Sequence, residues 1–228
     1  YECGESIACD ILFSMNSSLI TWCNRLITIG FYLLFSLVPL LLTPWNYELF
    51  EYNKMMAVYA ITALVVTAWL VKMINQGELR TARTPLDIPI WLFTASQLIS
   101  TLFSIDPHVS WFGYYSRFNG GMWSIISYVL LYYALVSNAA LFSKSAALRD
   151  TQNIDTKSAK NKQKQKPAAP TITTIFILLK AGIATAVLVA FYGVLERLGI
   201  DKHLWVQDVQ NRVFSTLGQP NWLAAYIV

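Results

Sequence analysis

Long apolar blocks separated by short polar stretches run through most of this chain. They fall at about Leu26–Thr43, ending at Pro44, then Met55–Ile74, Leu86–Ser104, Met122–Phe142 and somewhere within Ile172–Leu195. A further block starts at Trp222 and is still apolar at Val228. A helix needs roughly 20 mostly apolar residues to cross a bilayer, and the first five blocks are of that order. The pattern predicts an all-α, polytopic transmembrane helix bundle with five full spans and the start of a sixth. The opening Tyr1 and the unfinished last block lead us to expect the N-terminal part of a longer protein.

Positive charge orients these spans, because cytoplasmic loops carry an excess of Lys and Arg. The connection Ser143–Pro170 holds Lys144, Arg149, Lys157, Lys160, Lys162, Lys164 and Lys166 against Asp150 and Asp155. It is expected on the cytoplasmic side. Alternation then places Arg25 and the Asn75–Pro85 loop, with Arg80 and Arg83, on that side too. The loop around Glu48 and Glu51 and the connections Ile105–Gly121 and Arg197–Asn221 fall outside. The resulting organisation is a cytoplasmic N-terminal segment over 1–24, spans 1–4 over 25–142, a basic cytoplasmic loop over 143–170, and span 5, an outer loop and the start of span 6 over 171–228. The stretch Lys157–Pro170 is built of Lys, Gln, Ala and Pro without an apolar face, which predicts a flexible tether.

Composition agrees with a membrane protein. The chain is 55% hydrophobic and 13% charged, about half the charge of an ordinary soluble domain. The net charge of +4 comes largely from one loop and does not indicate nucleic-acid binding. Cys3, Cys9 and Cys23 match no zinc or redox spacing, and unpaired thiols are expected. No Gly-rich phosphate loop, metal-ligand pattern or Ser-His-Asp arrangement is evident, so no metal or cofactor is expected.

Two outward connections carry the candidate chemistry. Ser104-Ile-Asp-Pro-His-Val-Ser-Trp-Phe-Gly-Tyr-Tyr-Ser-Arg-Phe-Asn-Gly-Gly121 is rich in aromatics and holds one arginine, Arg117. Interfacial anchoring accounts for the aromatics, but less well for an outward arginine. Aromatic faces also suit sugar rings, and a guanidinium fork suits a diphosphate. The second connection offers Arg197, Lys202, His203 and Arg212 beside Glu196, Asp201 and Asp208. Arg212 precedes a Gly218-Gln-Pro-Asn221 break, after which a helix is expected from Trp222, with Asn221 as its cap. Arg197 is equally able to pair with Glu196 or Asp201. Lys180, within the fifth block, is expected to snorkel. His108 and His203 lack an acid at convincing spacing and read as ordinary loop residues.

These residues resemble the first half of the O-antigen ligase and polymerase superfamily. The resemblance rests on Ser104-x-Asp106-Pro, Trp111-Phe-Gly113, Arg117-Phe-Asn-Gly120 and Arg212-x-Phe-x-Thr-x-Gly218-x-Pro-Asn221. The family reads Arg-x-x-Gly-Thr-Phe-Gly-Asn-Pro-Asn before an apolar helix, whereas this chain has Ser215-Thr216 and Gln219 at the corresponding places. The resemblance implies a GT-C-like glycosyltransferase outside the cytoplasmic membrane. Its donor is a polyprenyl-diphosphate-linked glycan, and its acceptor is a hydroxyl on a glycan, a lipid or a protein. By position Arg212, and with it Arg117, would bind the donor diphosphate, with Asn221 and Arg197 as neighbouring candidates. The family's general base, a histidine in a later outer loop, would lie downstream of Val228. Two other classes stay open at this point: a transporter or flippase of lipid-linked sugars, and a non-catalytic membrane scaffold subunit.

Overall fold

A computed structural model describes residues 7–43, 50–77, 81–139, 171–200 and 213–228. The basic connection, Arg80, Arg212, Lys202 and His203 lie outside the described residues. Among those described, all regular structure is helical and no strand forms. The elements are α1 (Ile7–Leu40), α2 (Glu51–Gln76), α3 (Asp87–Leu102), α4 (Pro107–Phe112), α5 (Met122–Ser137), α6 (Thr171–Arg197), a 3₁₀ turn (Ser215–Leu217) and α7 (Pro220–Ile227).

Three helical stretches are long and apolar enough to cross a membrane: Ser18–Leu40 of α1, all of α2, and Phe176–Arg197 of α6. The remaining two expected spans are shorter as helices. α3 and α5 have 16 residues each, about 24 Å at 1.5 Å per residue, against a hydrocarbon core of roughly 30 Å. Local chemistry sets their ends. Asp106 starts α4 by accepting a hydrogen bond from the Val109 amide at 3.2 Å. Asn138 closes α5 by donating its side-chain amide to the Ala134 carbonyl at 2.9 Å. At the front of the chain the helix begins well before Leu26, and Pro39 sits inside its last turn.

α1 and α2 form the antiparallel centre of the bundle. Cys23, Ile27 and Phe31 recur at four-residue spacing along α1 and meet Ile61, Val65, Ala68, Trp69 and Met73 of α2. Gly30 lies at their closest approach, where a Cβ would come 2.4 Å from a Val65 methyl. Close backbone packing of this kind is how helices associate when lipid removes the hydrophobic drive between them. α6 packs on α1, and α5 on α2 and α3. Hydroxyls within the helices are satisfied by their own backbone, as when Thr62, Thr101, Ser127 and Thr185 each donate to the carbonyl four residues back. The outer faces stay apolar, with Leu64, Ile88, Leu92, Phe103, Val187 and Phe191 all exposed. Such a surface suits lipid rather than water.

Polar contacts gather at the two ends of the bundle. At one end Lys72 donates to Asn138 Oδ1 at 2.8 Å and the Ala82 amide to Ser137 Oγ at 3.1 Å. The other end collects the start of α2, α4, the start of α5, the end of α6 and the start of α7. If the Gly30 contact sets the α1–α2 distance, Gly30→Val overpacks it and lowers stability by about 1–3 kcal/mol. Adding Val65→Ala should restore most of the loss, read as the thermal unfolding midpoint in micelles.

Candidate functional site

The segment after α6 returns to the bundle as a tightly held turn. Glu196, one residue before the end of α6, has no exposed surface. Its Oε2 accepts the Phe214 amide at 3.1 Å and the Ser215 amide at 2.7 Å. The Ser215 hydroxyl donates to the Val189 carbonyl of α6 at 2.7 Å. The Thr216 hydroxyl donates to the Pro39 carbonyl of α1 at 2.8 Å, occupying an acceptor at a helix end that has no partner in its own ladder. Lys54 of α2 donates to the Thr216 carbonyl. Five groups on three consecutive turn residues are thus tied to three helices. Gly218 ends the turn in the left-handed region (φ +78°), and a side chain there would strike the Phe50 ring. That ring meets Phe214 edge-on at 6.4 Å.

The Arg117 loop is closed by its glycines. A Cβ on Gly121 would come 2.3 Å from the Gly113 nitrogen, and one on Gly113 would come 2.4 Å from the Asn119 carbonyl oxygen. The two ends of the loop therefore touch through backbone alone. Phe118 takes φ +51°, a conformation rare for a residue with a side chain. It is held there because Tyr59 donates its hydroxyl to the Phe118 carbonyl at 2.7 Å, and Tyr52 packs against its ring. His108 lies stacked on Tyr115, with ring centroids 4.8 Å apart, and packs on Phe112.

This arrangement points Arg117 back over the bundle end. Its Nε is 3.4 Å from Glu51 Oε2, and its guanidinium carbon is 5.7 Å from the centre of the Trp222 ring. The Arg117 side chain is half exposed. Beside it opens a cavity of about 450 Å³ lined by Glu51, Lys54, Asn119, Leu217, Trp222 and Tyr226. The Tyr226 hydroxyl is buried and has no hydrogen-bond partner among the described residues. A second cavity, about 520 Å³ and largely apolar, begins beside Phe118 and follows α2 and α5 past Tyr59, Val66 and Leu130. Cations, hydrogen-bonding groups and an aromatic face thus lie at the same bundle end as the start of an apolar cavity. Such a combination can hold an anionic head with a hydrophobic tail.

Of the residues singled out from sequence, Arg117 stands beside this cavity, touching Glu51 and Trp222 of its lining. Arg212 is outside the described residues, although the turn that follows it, from Val213, forms one wall. Asn221 is exposed at the second position of α7 and does not cap it. The cap position is Gln219, because Pro220 takes the first helical position, where its missing N–H costs nothing. Arg197 is exposed in the last turn of α6 and does not line the cavity. Lys54, Glu51, Trp222 and Tyr226 were not singled out from sequence. A lysine three residues after a glutamate at the mouth of an apolar block was the available signal. The chain matches no protein-family model, no curated protein and no solved structure.

Removing the Glu196 acceptor leaves two buried amides unsatisfied, at about 1–3 kcal/mol each. Glu196→Ala is therefore expected to speed hydrogen exchange at Phe214 and Ser215 by at least roughly tenfold. Peptides from the α1–α2 core should change far less, as followed by mass spectrometry.

Proposed function

We propose that the chain is the donor-binding part of a membrane glycosyltransferase similar to the O-antigen ligases and polymerases. The reaction moves a glycan from a polyprenyl diphosphate to an acceptor hydroxyl at the outer face of the cytoplasmic membrane. The observation that carries this reading is Arg117, held against Glu51 and over Trp222, beside a cavity lined by Lys54 and by Leu217 of the turn that follows Arg212, with a separate apolar cavity along α2 and α5 at the same bundle end.

In this reading the diphosphate sits among Lys54, Arg117 and Arg212, and the isoprenoid tail lies along the apolar cavity. Arg117 exchanges Glu51 for a phosphate oxygen while its guanidinium stays over Trp222. As the bond from the sugar's anomeric carbon to the diphosphate breaks, negative charge grows on the departing oxygen. Fixed cations beside it lower the barrier. Trp222 offers a ring face to the glycan. No residue of this chain is assigned as the base that takes the acceptor's proton.

The topology that fits has α3 and α5 crossing together with the three longer helices, and the cavity facing outward. Transport of a lipid-linked sugar would call for helices broken near mid-membrane. α2 and α6 are instead continuous over 26 and 27 residues, and the polar groups lie at a bundle end. That weighs against the transporter.

In the full-length protein, Arg212→Ala is expected to abolish transfer, and Arg117→Ala and Lys54→Met to reduce it by at least roughly tenfold. Membrane insertion should persist in all three. Full transfer in Arg212→Ala, or in the Arg117→Ala/Lys54→Met double variant, would sink the assignment. Topology has its own check in a chain whose native cysteines are replaced. Asn119→Cys should react with a membrane-impermeant thiol reagent in intact cells, and Lys162→Cys should be protected. The reverse pattern overturns the orientation.

A further inference from the structure

A different feature lies at the opposite end of the bundle. α5 packs on α2 and α3, and α6 on α1, so the facing sides of α5 and α6 are left apart. Between them opens a cavity of about 460 Å³. Phe35 of α1 lies at its floor, Leu135 and Val136 form one wall, and Leu178 and Leu179 form the other. Arg83 stands among the lining residues at the polar end. The slot is therefore apolar along its length and carries one cation.

Arg83 is available for a ligand. Its side chain is exposed and forms no ion pair among the described residues. Asp87 is close enough to feel its charge, but the carboxylate is already engaged. Oδ2 accepts the Thr84 amide at 3.0 Å, while Oδ1 accepts the hydroxyls of Thr84 at 2.6 Å and Tyr133 at 3.2 Å. Tyr132 donates to Thr84 Oγ1 at 3.0 Å. The same network fixes the 82–87 segment, with the Ala82 amide bonded to Ser137. Arg83 thus has no ion pair among the described residues and sits on a firmly placed backbone.

The sequence that follows Ala139 is basic as well. Ala139 lines the slot, and α6 begins at Thr171. The sequence joining them carries seven Lys or Arg against two Asp. A positive field at the end of two apolar helices attracts anionic headgroups, and a basic pocket between helices holds them.

We propose that the slot between α5 and α6 binds one anionic phospholipid, with an acyl chain against Phe35, Val136 and Leu178 and its phosphate on Arg83. The site is separate from the cavity at the Arg117 end. Its lipid would fill the space between α5 and α6, two helices that do not otherwise close on each other, and so tie the two sides of the bundle together.

The test uses the full-length protein in nanodiscs of phosphatidylcholine alone or with one-fifth phosphatidylglycerol. Native mass spectrometry is expected to find phosphatidylglycerol retained near one per chain, and its presence should raise the unfolding midpoint. Arg83→Gln should weaken retention by roughly tenfold, the loss of one phosphate contact on a charged group. Val136→Trp, which fills the slot but keeps the cation, should weaken it as well. Equal retention of phosphatidylcholine overturns the proposal, as does unchanged phosphatidylglycerol binding in both variants. An efficient cross-link from Val136→Cys to a downstream segment would do the same, since protein would then cover the slot.

Discussion

A carboxyl group with no exposed surface near the end of an apolar helix must find donors, or it costs several kcal/mol to leave there. Glu196 finds them in the amides of Phe214 and Ser215. That requirement pulls the chain leaving α6 back onto the bundle. Once Ser215 and Thr216 are placed, their hydroxyls reach the carbonyls of Val189 and Pro39, and the Thr216 carbonyl meets Lys54. The turn then ends at Gly218, and Pro220 starts α7 immediately afterwards. Trp222 comes to rest beneath Arg117 for that reason. The geometry of the candidate cavity therefore depends on one glutamate that does not line it.

The apolar bodies of the helices do little of this positioning. α1 and α2 interlock through Gly30 and an apolar stripe, and the Gly30 contact sets how closely they approach. Polar contacts at the two ends supply the missing specificity. Lys72 with Asn138 and Thr84 with Asp87, Tyr132 and Tyr133 align one end. The Glu196 turn aligns the other.

Much of this could be read from the sequence, and the gaps have physical causes. Apolar runs located the helices because period and length are local properties. α3 is shorter than its apolar block because hydropathy continues past Phe103, where the helix closes, while the last residues of the fourth block, 140–142, lie outside the described ones. Arg117 and the Gly218–Pro220 break were legible, since an outward arginine and a helix stop are visible in one dimension. Lys54 and Glu196 were not. Lys54 meets a carbonyl 162 residues away, and nothing near it in sequence announces that partner. Glu196 looked like a partner for Arg197 because the two are adjacent, but neighbours on a helix point about 100° apart. One therefore turns inward while the other stays exposed. Asn221 lost the capping position to Gln219 for a similarly local reason, the preference of proline for the first helical position.

The two kinds of polar contact at the Arg117 end differ in how easily they can be exchanged. Glu196 is fully buried, and its bonds to backbone amides cannot be replaced by water without opening the turn. Arg117, half exposed, touches Glu51 at 3.4 Å, and a partly solvated pair of this kind contributes about 1 kcal/mol or less. An incoming dianion, with two charges and several acceptor oxygens, competes readily for such a guanidinium. Lys54 sits between the two cases, its ammonium on a single carbonyl of the turn that Glu196 holds. A rigid, buried anchor thus presents Arg117, whose resting partner is weak, beside Lys54, which has one carbonyl partner. For the proposed donor, little of the binding energy would be spent on undoing the resting contacts, so the turn could stay in place while Arg117 and Lys54 change partners.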